Sequence, residues 1–91
     1  MTKTLWEMAG APNTPVALSN AVLVLIDVQN EYFSGPLKLT DVEEAGEVIA
    51  SLLARARKIG TPVVHIRHKG RAGGAFDLED TRGQIHSSVT P

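Results

Sequence analysis

The sequence predicts an α/β protein built on a parallel sheet. Three observations lead there. Residues 21–26, AVLVLI, form an unbroken apolar run. It is too short for a helix and suits a strand buried on both faces, the kind found mainly in parallel sheets flanked by helices. From Thr40 onward, apolar residues recur at helical spacing until Gly60. Residues 62–68, PVVHIRH, make a second short apolar run. Strand, helix, strand is a βαβ unit.

Each segment has a local reason. Residues 1–19 read as an extension, because Gly10, Pro12, Asn13 and Pro15 interrupt any periodic pattern. Leu5, Trp6 and Met8 suggest an arm lying on the body or on a neighbouring subunit, with Trp6 as its packing anchor. The domain proper is expected over residues 20–91, with a first strand over 20–28. Ser34, Gly35 and Pro36 mark a turn. Thr40 and Glu43 have the spacing of a capping box. Val42, Ala45, Ile49, Leu52, Leu53 and Ala56 fall on one helical face. Arg55, Arg57 and Lys58 suit the negative end of the helix dipole. Gly60 then closes the helix and Pro62 prevents its continuation. The second strand spans residues 62–68. Residues 69–84 form a glycine-rich loop of a length that is often functional or mobile, and residues 85–91 a short final element.

One long helix covers one sheet face. Parallel strands need cover on both faces and neighbours at their edges. The chain is therefore expected to be the front part of a larger domain, or to need a partner that completes it.

Composition narrows the function classes. The formal net charge is −1, which gives no electrostatic basis for binding nucleic acid or an anionic membrane. Arg67, Lys69 and Arg71 read as a solvated loop. No apolar run approaches the roughly 20 residues of a membrane span, and no basic segment precedes an apolar stretch at the N-terminus. A cytoplasmic location is the expectation. With no cysteine in the chain, disulfides, cysteine-ligated metal and a thiol nucleophile are excluded within it.

In an open parallel sheet, ligands bind beyond the carboxyl ends of the strands. Asp27 ends the first strand; His65, Arg67 and His68 end the second. A carboxylate at the end of an apolar strand is costly unless paired. It is either a functional acid or base or a cap for a nearby helix or turn. As a functional group it needs a partner, for which Arg67 or a residue outside this chain is available. His65 and His68 point to opposite faces of a strand and cannot share a metal unless the strand ends between them. His65 reads as a core histidine and His86 as an isolated surface or loop residue. There is no glycine-rich or Walker-type phosphate loop, and no acidic pair of the kind a phosphoacceptor receiver domain needs.

"AVLVLIDVQNEYF", a long helix, "TPVVHIRH" and a glycine-rich loop ending in "RGQIHSSVTP" together resemble the isochorismatase-like hydrolase family, the cysteine hydrolases that include nicotinamidases. The resemblance runs over residues 20–91. It implies a three-layer α/β/α fold with a parallel Rossmann-like sheet, of which this chain supplies the first βαβ portion. It implies hydrolysis of an amide or related C–N bond by an Asp, Lys, Cys triad. Asp27 matches the family's aspartate, general base on the thiol and then on water, and Tyr32 and Phe33 match positions that wall the substrate pocket. The Lys and Cys fall after the position of Pro91, and Lys69 is no substitute by position. Zinc-binding members resemble "Asp-Trp-His" after the second strand, where this sequence has His68, Lys69 and Gly70, so no metal site is carried over and no cofactor is expected. Members that cleave the vinyl ether of isochorismate keep the aspartate, as an acid, without the cysteine. The implied partners are a small-molecule substrate and either a second copy, in a homo-oligomer, or a complementary C-terminal half. The alternative is a non-catalytic half-domain that works by association.

Overall fold

The computed structural model describes residues 2–91. In chain order the elements are α1 (Leu5–Met8), β1 (Leu23–Ile26), α2 (Glu31–Ser34), α3 (Val42–Lys58) and β2 (Val63–Ile66), with single 3-10 turns at Leu18–Asn20, Thr81–Gly83 and Ser87–Val89. The strands pair in parallel, Leu23 opposite Val63 and Ile26 opposite Ile66, with α3 as the crossover. Both strands are shorter than expected. Asp27 turns left-handed (φ 60°) and ends β1.

The end of α3 follows the sequence signal. Gly60 (φ 79°) lets its N–H reach the Arg57 carbonyl at 3.3 Å and that of Thr61 reach Ala56 at 2.9 Å, the paired bonds of a Schellman stop. The start of α3 does not. The helix begins at Val42, and no Thr40–Glu43 box forms: the cap residue is Asp41, left-handed at φ 57° and without a side-chain bond to the helix. A capping side chain needs extended backbone at that position. Here the approach is set from elsewhere, because Leu39 N–H donates to Tyr32 O at 3.0 Å. Glu43 pairs instead with Lys38 at 2.6 Å. That hydrogen bond, with a backbone bond at Glu43 itself, holds the carboxyl below its usual range.

The core is Leu25, Val28, Phe33, Val42, Leu53 and Val89. On α3 the buried set is Val42, Gly46, Leu53 and Ala56, while Ala45 is exposed. Glycine at 46 is required by packing: a Cβ there would lie 2.8 Å from Phe33 Cε2. The final element is the 3-10 turn at Ser87–Val89, preceded by an antiparallel bridge between Gln29 and Ile85.

Burial on both strand faces, expected from the apolar run, is absent. Side chains alternate: Leu25 is buried under α3, whereas Ile26 is 61% exposed and Val24 is 44% exposed. Val22, Val64 and Ile66 extend this bare row. One helix covers one face, as the element count implies. The accessible surface is 6702 Å², against about 5,100 Å² for a compact monomer of this mass. Part of the excess is the arm. Its Leu5, Trp6 and Met8 are exposed, and Trp6 does not anchor it to the body; the indole N–H donates to Pro12 O, within the arm, at 3.0 Å. No helix among the described residues is long and apolar enough to cross a membrane.

Candidate active site

The sheet's last backbone bond runs from Asp27 N–H to Ile66 O at 2.9 Å. The next residue to matter is Gln29. An amide placed there, two residues past the turn, is wholly buried and must find partners. Its Nε2 donates to His68 O (3.0 Å) and Gly83 O (2.8 Å), and its Oε1 accepts from His68 N–H (2.8 Å). Gln29 thus joins the exits of both strands to the 69–84 loop. Asn30 adds bonds from its backbone N–H to Gln84 O and from Nδ2 to Thr81 O.

This clasp sets the geometry around Asp27. Half-buried Asp27 lines a cavity of about 240 Å³ with Tyr32 and Phe33 from α2 and with Leu39, Val42 and Ile49. Among the described residues its carboxylate forms no ion pair. Arg67, considered as its partner, forms no ion pair with it; exposed, it lines a separate groove with Gln84, Ile85, Thr90 and Pro91. All three site residues suggested by the sequence therefore meet in one apolar cavity. An acceptor on such a wall suits proton transfer to or from a small bound molecule.

Tyr32 and Phe33 differ in role. Phe33 is a core wedge, stacked on His86 at 3.8 Å and 17° and seated on Gly46. His86 is therefore not isolated; its Nδ1 also lies 2.7 Å from Ser88 Oγ. Tyr32 is half-buried and tilts against Phe76 at 5.0 Å. No group of three or more metal-ligating side chains occurs among the described residues. His65 is half-buried on β2, and His68 is exposed with its ring edge-on to Phe76 at 4.9 Å.

Sequence reasoning gave no role to Gln29, Glu31 or Phe76. Glu31 is wholly buried; its Oε1 accepts from Phe76 N–H at 3.1 Å and faces Arg82 Nε at 3.6 Å. The available signal was three polar residues directly behind an apolar strand. The loop they hold is also more ordered than its glycines imply. Asp77 accepts from Gly73 N–H at 2.8 Å and Glu79 N–H at 3.0 Å, and these bonds, Gly73's first, hold its carboxyl below the usual range.

Fold and site together define a parallel, Rossmann-like α/β unit with an acid at a strand end. The isochorismatase domain model matches residues 21–91, and the chain belongs to that family. A crystal structure of an isochorismatase from Pseudomonas putida superposes on all of this chain with a TM-score of 0.88 and 44% identity, the match covering 47% of that protein. The secreted isochorismatase effector Isc1 of Verticillium dahliae is 35% identical over 86 residues, 93% of this chain and 45% of the effector. A streptothricin hydrolase of Streptomyces noursei is 38% identical over 70 residues, 76% of this chain and 25% of the hydrolase. The chain spans less than half the length of these relatives.

Proposed function

We propose that the full-length protein is a hydrolase that cleaves an amide or other C–N bond of a small molecule, with Asp27 as its general acid and base. The observation that carries this reading is Asp27, free of ion pairs among the described residues, on the wall of an apolar cavity beside Tyr32 and Phe33. The likeness to a streptothricin hydrolase supports hydrolysis. In this scheme Asp27 takes the proton of a cysteine thiol and the thiolate attacks the carbonyl carbon. The proton passes to the departing nitrogen. Asp27 then activates the water that releases the acyl group. This chain holds no cysteine; in this scheme the cysteine and an orienting lysine come from another part of the full-length protein.

The 44% identity to a protein described as an isochorismatase favours a second reading. In it Asp27 acts as an acid on the vinyl ether of isochorismate. Asp27→Asn in the full-length protein, assayed on streptothricin, simple primary amides and isochorismate, tests both readings. Loss of about 10²–10⁴-fold in kcat is expected where a positioned acid or base is removed, with the circular dichroism spectrum unchanged. Retained activity in a folded variant excludes Asp27 from the chemistry. The substrate that is turned over separates the two reactions.

A further inference from the structure

The Glu31 side chain is wholly buried beside Tyr32, yet it is not part of the cavity wall. Burying a carboxylate is costly unless its oxygens are matched. Only one is. Oε1 takes the Phe76 N–H at 3.1 Å and faces Arg82 Nε at 3.6 Å, while Oε2 has no partner. A Cβ at Gly35 would collide with Oε2, so the glycine leaves the carboxylate its room. One side chain on the Asp27 side thus stakes down two points of the loop, Phe76 and Arg82. Arg82 extends the hold, donating from Nη2 to Gly73 O at 3.0 Å.

What the clamp secures is an aromatic ring. Phe76 sits in left-handed backbone (φ 58°), a strained state for a bulky residue that persists only where surrounding contacts enforce it. It is buried. Its ring tilts against Tyr32 at 5.0 Å and meets His68 edge-on at 4.9 Å. Tyr32 lines the Asp27 cavity; Phe76 does not, and packs against the Tyr32 ring. A ring contacted in this way has less room to turn away from the cavity.

The geometry points to Phe76 as the residue that sets the width of the Asp27 cavity by holding the Tyr32 ring, with Glu31 as the clamp that holds Phe76. Both are positioning residues, and their effect falls on the size of substrate group admitted. The inference rests on the hydrolase reading for its consequence in selectivity. The clamp itself is independent of that reading.

Two measurements on the full-length protein test it. In the first, 3-fluorotyrosine is placed at position 32 and its fluorine resonance recorded in the wild type, Phe76→Ala, Phe76→Leu and Glu31→Gln. Glu31→Gln is expected to move the resonance towards its position in Phe76→Ala, although the substitution leaves the Phe76 ring in place. Phe76→Leu should lie between. A folded Glu31→Gln with the wild-type resonance overturns the clamp. In the second, hydrolysis is followed for acetamide, isobutyramide, benzamide and 1-naphthamide. Phe76→Ala should shift preference towards the larger amides by about tenfold or more, the scale on which pocket contacts discriminate, and KM should change more than kcat. Phe76→Leu should recover part of the original ranking. An unchanged ranking in folded Phe76→Ala overturns the role in selectivity. If the wild type hydrolyses neither these four nor streptothricin, the amide-hydrolase reading fails, and the fluorine resonance still decides whether Glu31 and Phe76 position Tyr32.

Discussion

A single amide, Gln29, ties together the chain segments around the site. Its three bonds join β1's exit, β2's exit and the loop at Gly83. Gln29→Ala in the full-length protein would leave the His68 N–H and two carbonyls without this partner. Each buried polar group left unmatched costs about 1–3 kcal/mol, and partial relaxation brings the expected total to roughly 2–4 kcal/mol. Urea denaturation reads this as a lower midpoint with an unchanged slope; a wild-type midpoint would show the clasp to be dispensable. Asp27 was legible at this scale because a charge at the end of an apolar run is a local anomaly. Gln29, Glu31 and Phe76 were not. Their partners lie 39 to 54 residues away along the chain, and no window of sequence contains both ends of such a bond.

At the scale of elements, α3 shows where local rules suffice and where they yield. Its apolar spacing and its Gly60 stop are properties of consecutive residues, and the structure follows them except at exposed Ala45. Its start is dictated by α2 through the Leu39–Tyr32 bond, so the Thr40–Glu43 pattern is overridden. A capping threonine is worth about 1 kcal/mol. Thr40→Ala should therefore change stability by less than about 0.5 kcal/mol, as for an ordinary surface position; a loss near the capping value would restore the box. The 69–84 loop carries a pH dependence of known sign. The Asp77 carboxyl is held below its usual range by the Gly73 and Glu79 N–H groups. Its contribution to loop order is full above the ordinary aspartate pKa and is lost as pH falls through the lower folded value. Hydrogen exchange at Gly73 and Glu79, corrected for the intrinsic rate, should accelerate only at the acid end. Exchange that is flat with pH would remove Asp77 from the loop's support.

The whole molecule is a plate 22 Å in its smallest dimension, a sheet layer and a helix layer. The parallel βαβ order was legible from three apolar segments, and so was the missing cover. The width of the bare face was not, because an apolar run does not say which of its residues a single helix will shield. Val22, Val24, Ile26, Val64 and Ile66 form that face, and β1 is bonded to β2 alone among the described strands. Residues 1–91 on their own are expected to show no turnover and to associate in a concentration-dependent way, read by sedimentation velocity. A sharp monomer across a wide concentration range would mean that the face tolerates water.

The arm has a spectroscopic consequence. Trp6 is the chain's one tryptophan, and it is 57% exposed, with its N–H bound inside the arm. Its emission in this segment is that of a wet indole whether the sheet is folded or not. A fluorescence melt of residues 1–91 would therefore be nearly silent while the core unfolds. The same indole becomes a clean optical reporter of a different event, the moment the arm meets another surface.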